Sequence, residues 1–305
     1  MNNEKLAVLI PCGGRGRRFG MIEKKPLVTL PDGNHPITNL LRDIPSEIPI
    51  YIYLEHEHKE AYERALGRNG NFGHRITYLI QNEDILYSHN GEPMIFSDGT
   101  YITASNGVAT FINHFAKPPK YFFVIDGNRT GVFFPDVIAA MKMLDEDPEL
   151  DAVVFAKHLN DEEIEEDIEN QKKSRARWAR VNKDEQLVYE YPCIPKEIIP
   201  DKNWHAIIGD YIFRAESLMR IIRSLKGELF EAECVDGIFA GKAYQLKMSM
   251  LLSGFNGREE GLSFEVYFPK RTFPNIKIPA DLQRYLDMAN SGAFDYRNKP
   301  LVLNT

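Results

Sequence analysis

Close to its start the chain carries a glycine-rich loop with several arginines. The loop, Pro11–Gly20, has the sequence PCGGRGRRFG, and Lys25 follows it shortly afterwards. Glycines let the backbone adopt positive φ and approach a ligand closely. Successive backbone N–H groups in such a turn form an anion-binding concavity, which the N-terminus of a following helix reinforces. Because Arg15, Arg17 and Arg18 occur together in an acidic protein, the loop predicts a polyanionic ligand rather than a plain turn between a strand and a helix.

Two well-known phosphate-binding loops do not fit this segment. A dinucleotide-binding fingerprint requires glycine or alanine three residues after Gly16, and Phe19 stands there. A Walker A loop requires Gly-Lys followed by serine or threonine, and the segment lacks that sequence. The loop therefore predicts a phosphate site of another kind.

The overall composition is that of a folded, acidic protein. The chain has 305 residues, 43% of them hydrophobic and 27% charged, with a net charge of -7. A general nucleic-acid binder normally has a basic excess, so we expect no nucleic-acid partner. The cysteines Cys12, Cys193 and Cys234 lie far apart, which favours a reduced cytoplasmic protein over a disulfide framework or a zinc site. The first apolar run, Leu6–Ile10, is too short for a signal-peptide core, and we expect no membrane-spanning segment.

The elements that must position the loop alternate between strands and helices. The predicted strands are Leu6–Ile10, Pro49–Leu54, Arg75–Ile80, Tyr121–Ile125, Asp151–Ala156, Trp178–Val181, Leu187–Tyr189, Ile207–Phe213 and Leu262–Phe268. The predicted helices are His56–Leu66, Thr103–Phe115, Pro135–Leu144, Ala215–Leu225 and Ala280–Met288. Such alternation favours a parallel or mixed sheet covered by helices on both faces.

We expect one domain over residues 1–305, with a nucleotide-binding half over 1–157 and an acceptor-binding half over 158–305. The stretch Asp161–Arg180 is acidic in its first part and basic in its second. That distribution complements a helix dipole, so the sequence predicts a solvated helical insertion at about residues 160–177. A substrate-facing role for its basic end is the alternative.

The glycine loop and the lysine after it resemble the signature of the sugar-nucleotide pyrophosphorylases and related nucleotidyltransferases. The signature is a strand, then Gly-x-Gly-x-Arg, then Pro-Lys-Pro-Leu. Here Gly14-Arg15-Gly16-Arg17-Arg18 supplies the first part and Lys25-Pro26-Leu27 the second, with Lys24 in place of the usual proline. The resemblance extends to N-acetylglucosamine-1-phosphate uridylyltransferase and to UDP-sugar pyrophosphorylases. It implies a three-layer, Rossmann-like α/β fold with a mixed, mostly parallel sheet and a smaller β-rich substrate-binding part.

Further segments match the family in its own order. They are Tyr78–Gln81, Ser97–Thr100, Tyr121–Asn128, Trp178–Val181, Val188–Glu190, Ile208–Phe213, Glu233–Ile238 and Phe273–Lys277. Each is weak alone, and their shared order after the glycine loop makes the joint interpretation strong.

The resemblance implies a role for particular residues on the nucleotide side. Arg18 would bind the triphosphate and the departing pyrophosphate, and Lys25 would bridge the α-phosphate and the attacking phosphate. The backbone of the loop and two later residues would hold the nucleotide: Gly13, Gly14, Gly16, Gln81 and Gly99. Because a residue before proline avoids the helical region, we also expect Lys25 to be extended and Lys24 to point the other way.

The resemblance also implies a metal and an acceptor site. Asp126 and Asn275 would hold Mg²⁺, with Mn²⁺ as a substitute, and Glu190 and Asp236 would face the acceptor. Asn128 stands where many members carry a second aspartate.

Two further departures from the family concern the acceptor. Ala179 replaces a glycine, and Ile207 stands where an asparagine commonly touches the sugar. These departures predict an altered acceptor site.

The implied activity joins a nucleoside triphosphate, UTP first and CTP next, to a phosphorylated acceptor such as a sugar 1-phosphate. Pyrophosphate is released. One alternative is a nucleotide-sugar-dependent glycosyltransferase of related fold, which would use Asp-x-Asp where this chain has Asp126-Gly127-Asn128. The other alternative is a catalytically silent, nucleotide-sensing regulatory protein. The acceptor, the base and the oligomeric state are not fixed by the sequence.

Overall fold

A computed structural model describes most of the chain. The described residues are 5–12, 25–67, 70–80, 108, 111–112, 114–172, 180–189, 204–224, 252, 261–276 and 280–295. These ranges contain a central sheet and helices that cover it.

Nine strands form one sheet in the described part of the chain. Most of them arise from short apolar runs that are buried along their length. Tyr121–Ile125 is an example: all five residues are buried, and helices pack on both faces of the sheet at this strand. The strands are β1 Leu6–Pro11, β2 Ile50–Leu54, β3 Ile76–Ile80, β4 Tyr121–Ile125, β5 Ala152–Lys157, β6 Arg180–Asn182, β7 Leu187–Tyr189, β8 Trp204–Arg214 and β9 Phe264–Tyr267.

The sheet is mixed, and its main strands run mostly in one direction. Their order is β3-β2-β1-β4-β8-β5-β9, and β6 pairs with β7 and β8 at the side of this path. Strands β1, β2, β3 and β4 are parallel to one another, and so are β5 and β9, whereas β8 is antiparallel to both β4 and β5. The chain leaves β1 toward β2 on one side and returns to β4 on the other. In open α/β sheets, ligands bind outside the carboxyl ends of the strands at such a switch.

The described α-helices are α1 Pro36–Asp43, α2 Lys59–Ala65, α3 Phe134–Glu146, α4 Asp161–Lys172, α5 Ala215–Ser224 and α6 Ala280–Asn290. Four of them, α1, α2, α3 and α5, cover the two faces of the sheet. One core cluster joins Val8 and Phe123 to residues of α1, α2 and α3, and a second joins Leu9 and Phe122 to Phe111 and to α5. Since alternate residues of one strand point to opposite faces, these two clusters establish the three-layer architecture.

The described sheet contains a bulge in β8, the strand next to β4. Strands β5 and β8 pair at Val154↔Tyr211 and again at Ala156↔Ile207, so three residues of β8 face a single residue of β5 between those pairs. The middle one is Gly209, whose φ is +92°, a conformation that favours glycine because it has no Cβ. Bulges of this kind re-aim side chains near functional sites.

The C-terminal helix returns to the beginning of the chain. A small apolar cluster joins Val28 and Leu30 to Ile276 and to Tyr285 of α6. The hydroxyl of Tyr285 donates to Asp32 Oδ2 at 2.5 Å. The segment after Lys25 and the segment after Asn275 therefore pack against each other.

These observations confirm the predicted fold class, and the bounds of most predicted strands agree within a few residues. The predicted surface helix is present as α4. Two elements were not predicted: helix α1, and a 3-10 helix at Lys25–Leu27. No helix within the described ranges is long and apolar enough to cross a membrane.

Candidate active site

The turn after β4 lies directly against the end of β1. Gly127 N donates to Pro11 O at 3.2 Å. A Cβ atom at Gly127 would lie 2.6 Å from Cys12 Sγ and 3.0 Å from Pro11 O, so no side chain fits there. Because Pro11 and Cys12 are the first residues of the glycine loop, this contact places Asp126 beside the start of that loop, at the switch between β1 and β4.

Asp126 and Asn275, which are far apart in the sequence, contact each other through their side chains. Asn275 Nδ2 donates to Asp126 Oδ2 at 2.8 Å. The other carboxylate oxygen, Oδ1, accepts the backbone N–H of Asn128 at 3.1 Å. The two residues that the resemblance assigns to a metal are therefore in direct contact.

The backbone around these two residues is joined in a short antiparallel bridge between Arg129 and Asn275. Ile276 N donates to Asn128 O, and Thr130 N donates to Pro274 O, each at 3.0 Å. The hydroxyl of Thr130 donates to Pro274 O as well, at 3.0 Å. We call residues 126–130 together with 273–276 the junction.

The junction offers oxygen atoms of the kind that Mg²⁺ prefers. Asn275 Oδ1 is buried and has no hydrogen-bond partner among the described residues. An unsatisfied buried acceptor costs about 1–3 kcal/mol, and a hard cation would satisfy it. Mg²⁺ commonly binds through one or two carboxylate or carbonyl groups of the protein together with substrate phosphates. The described residues hold no cluster of three or more His, Cys, Asp or Glu that could bind a metal ion without a substrate. The pair Asp126 and Asn275 fits a site in which one or two protein groups and the substrate phosphates share the Mg²⁺.

Lys25 begins the 3-10 helix Lys25–Leu27. The prediction that it is extended is therefore wrong. Pro26 is buried, and Val28, two residues further on, packs in the cluster with Ile276 and Tyr285. Burial of these apolar residues overrides the preference that proline imposes on the residue before it. In a 3-10 helix, consecutive side chains project about a third of a turn apart around the helix axis. In an extended strand they would project to opposite sides.

Tyr62, which the sequence did not indicate as a site residue, contacts the start of the glycine loop. Tyr62 is fully buried on α2, and its hydroxyl donates to Cys12 O at 3.4 Å. Burial raises the pKa of Tyr62 well above its usual value, and the nearby Cys12, Glu55 and Asp126 raise it further. The phenol therefore stays neutral and supports Cys12, the second residue of the glycine loop. Its place as a buried tyrosine of an amphipathic helix gives no signal of this role.

The second half of the sheet brings charged and aromatic residues to the same edge. Lys157 ends β5 and bonds Glu163 of α4 at 2.5 Å, and burial lowers the pKa of this lysine while Glu163 partly offsets that effect. Next to it, the rings of His158 and Phe268 stack with their centroids 4.2 Å apart. Strands β5 and β9 are parallel, so the residues after both strands meet at the edge where Asp126 lies.

The remaining predicted acceptor features are only partly described. Strands β6 and β7 form the expected antiparallel pair, with Arg180 opposite Tyr189. Ile207 is buried in the core cluster that includes Val154 and Tyr211. Several predicted site residues lie outside the described residues, namely Gly13, Gly14, Gly16, Arg18, Gln81, Gly99, Glu190 and Asp236.

The described architecture is a three-layer α/β fold with a mixed, mostly parallel sheet and a switch between β1 and β4. No family model matches the sequence. No curated protein sequence matches it either.

Solved structures share this fold at low sequence identity. A protein from Bacillus anthracis described as a glucose-1-phosphate thymidylyltransferase is 16% identical with a TM-score of 0.58, over 93% of this chain and 95% of that one. A CMP:2-keto-3-deoxy-manno-octonic acid synthetase, in complex with CTP, is 14% identical with a TM-score of 0.57, over 94% and 99%. The uridine diphosphate N-acetylglucosamine pyrophosphorylase of Trypanosoma brucei is 14% identical with a TM-score of 0.62, over 93% of this chain and 65% of that one.

Proposed function

We propose that this chain is a magnesium-dependent nucleotidyltransferase that joins a nucleoside triphosphate to a phosphorylated small molecule and releases pyrophosphate. The observation that carries the proposal is the contact between Asp126 and Asn275, with the buried amide oxygen of Asn275 unsatisfied among the described residues. This pair lies at the sheet switch, beside the start of the glycine loop. The solved structures of similar fold support the same class of reaction by their names.

The reaction requires a phosphate oxygen of the acceptor to attack the α-phosphorus of the triphosphate. Both reactants are anions, so catalysis consists mainly of alignment and of compensation of negative charge. Asp126 and Asn275 would hold Mg²⁺, which when bound polarises phosphate oxygens and neutralises developing charge.

The chain's own cations would complete this compensation. Arg18 would bind the triphosphate and the departing pyrophosphate, and the amides of Gly13, Gly14 and Gly16 would cradle the phosphates. Lys25 would stabilise charge between the α-phosphate and the attacking oxygen. No covalent intermediate is needed.

For the substrates, we propose UTP as the first choice of triphosphate and CTP as the next, with Gln81 and Gly99 against the nucleoside. The acceptor is a sugar 1-phosphate or a related phosphorylated molecule, which Glu190 and Asp236 would contact. Ala179 and Ile207 depart from the family at positions near the sugar, so common hexose 1-phosphates are expected to be poor acceptors. Efficient turnover of glucose 1-phosphate would show that these departures have no effect.

Pyrophosphate release tests the proposal. ATP, CTP, GTP and UTP are each assayed with a panel of sugar phosphates and other phosphorylated small molecules, with Mg²⁺ or with a chelator. One triphosphate should give pyrophosphate with at least one acceptor, and chelation should abolish it. Transfer from a nucleotide sugar without pyrophosphate would instead indicate a glycosyltransferase. Triphosphate binding without any turnover would indicate a regulatory protein.

A further inference from the structure

Arg129 and Asp210 form a buried ion pair beside the contact between Asp126 and Asn275. Arg129 Nη2 and Asp210 Oδ1 are 3.2 Å apart, and the two side chains are 5% and 7% exposed. Asp210 lies in β8 opposite Ile125, the residue before Asp126. The pair therefore ties β8 to the turn that carries Asp126.

The same guanidinium also reaches the other side of the junction. Arg129 Nη1 donates to Phe273 O at 2.9 Å, and Phe273 lies two residues before Asn275. Arg129 N donates to Asp126 O at 3.0 Å and closes the turn after β4. One residue thus connects three segments of the chain: the turn of Asp126, the segment of Asn275, and β8.

The bulge in β8 makes this connection possible. The Cβ atom that Gly209 lacks would lie 3.9 Å both from Arg129 Nη2 and from Asp126 Cβ. Gly209 therefore lies close to both Arg129 and Asp126, and its φ of +92° belongs to the bulge that places the neighbouring Asp210 against Arg129. Bulges re-aim side chains in this way.

As a source of stability this arrangement is poor. Removing two charges from water costs free energy that their attraction repays only when every polar group is satisfied. Arg129 Nε is buried and has no hydrogen-bond partner among the described residues. What the pair does supply is a fixed relative position of segments that are far apart in the sequence.

We propose that Arg129 and Asp210 are positioning residues, which hold Asp126 and Asn275 at the separation that a divalent cation requires. This inference rests on the proposed function. Outer partners that orient metal ligands typically contribute roughly 10–100-fold to metal affinity. We therefore expect Asp210→Asn to weaken Mn²⁺ binding by roughly that factor while triphosphate binding without metal stays unchanged.

The test measures Mn²⁺ binding by water-proton relaxation, with each of ATP, CTP, GTP and UTP in turn. Triphosphate binding in the presence of a chelator is measured separately by calorimetry. Asp210→Asn keeps the size of the side chain and removes its charge. If that variant does not fold, Arg129→Lys, which keeps the charge of the arginine, is measured in its place.

The matched control is Arg214→Lys, at the far end of the same strand. Arg214 Nε donates to Leu150 O at 3.1 Å and its Nη2 to Asp147 O at 3.0 Å, away from the junction. We expect this control to lose stability but to bind Mn²⁺ as the wild type does. Mn²⁺ affinity within twofold of the wild type in the folded Asp210 or Arg129 variant would overturn this inference alone. A wild type that binds Mn²⁺ with none of the four triphosphates would overturn the metal assignment and this inference together.

Discussion

The two charged parts of the candidate site are built in different ways. The junction is held by hydrogen bonds. Three join backbone groups, and the side chains of Thr130, Arg129 and Asn275 each donate at least one more. The segment of Lys25 is held by apolar packing of Val28 and Leu30 against Ile276 and Tyr285. Hydrogen bonds fix direction as well as distance, whereas apolar burial is non-directional.

The difference suits the two proposed roles, metal binding at the junction and charge compensation by Lys25. Metal ligands require a defined geometry, since Mg²⁺ demands nearly ideal octahedral coordination. A lysine ammonium is a compact charge on a flexible stem, so an approximate position of its backbone is sufficient. Changes at the junction should therefore alter metal use, and changes around Lys25 should alter charge compensation.

The largest expected effect is that of Asp126→Ala. Loss of this carboxylate would remove the charged ligand of the proposed metal site, and a catalytic metal contributes several kcal/mol to charge stabilisation. We expect turnover to fall roughly 10³-fold or more, with a folded protein. Pyrophosphate release and thermal unfolding measure the two quantities. Near-native turnover in this variant would move the metal site elsewhere.

The next effect is that of Lys25→Ala. Loss of one positioned charge at a developing anion typically costs on the order of 10²–10³ in turnover. Lys24→Ala is the matched control, and we expect it to lose little because the resemblance assigns the role of the signature lysine to Lys25 and not to Lys24. Steady-state pyrophosphate release on both folded variants tests this. Equal losses would mean that the loop requires positive charge in general, and a larger loss at Lys24 would assign the catalytic role to that residue.

The sequence was sufficient for the parts of the site that local patterns define. Strand β4 was predicted with its observed bounds because Tyr121–Ile125 is apolar throughout and is followed by polar residues. The nearness of Asp126 and Asn275 came from the family resemblance, since no local pattern joins residues so far apart. The 3-10 helix at Lys25 was missed because the rule for residues before proline is local, and tertiary burial of Pro26 overrides it.

No pattern in the sequence predicted the ion pair between Arg129 and Asp210. Arg129 and Asp210 are 81 positions apart, and each alone resembles an ordinary surface charge. Their contact depends on the bulge at Gly209, and a glycine inside a strand is only a weak sign of a bulge. Helix α1 was not predicted, although Pro36 at its first position is a favourable helix start.

A smaller effect is expected from Gly209→Ala. At a φ of +92°, an added Cβ should destabilise the fold by about 1–2 kcal/mol, and the strain falls between Arg129 and Asp126. We expect roughly a tenfold higher Mg²⁺ concentration for half-maximal activity, corresponding to about 1.4 kcal/mol. Gly73→Ala is the control, with a similar φ of +82° and a single ordinary contact to Ser46. An equal change of metal dependence in both variants would contradict the directional role of the junction.

The smallest effect is expected from Tyr285→Phe, which tests the apolar side of the comparison. The hydroxyl of Tyr285 donates to Asp32 Oδ2 and accepts Asn39 Nδ2 at 3.0 Å. Burial alone would raise the pKa of Asp32, but the hydrogen bonds from Tyr285 and Asn34 lower it overall. Because the folded-state pKa is depressed, this contribution to stability is fully present above the unfolded pKa of about 3.9 and is lost as pH falls through the folded value.

We expect Tyr285→Phe to lower the free energy of unfolding by about 1 kcal/mol at pH 7, a modest value because Asp32 is exposed. The loss should be the same at pH 5 and should shrink below about pH 4. Turnover should change less than roughly twofold, since apolar packing of the ring still holds the segment of Lys25. Urea unfolding at several pH values and pyrophosphate release measure these effects. A large loss of turnover without a loss of stability would show that this hydrogen bond, rather than the apolar cluster, positions Lys25.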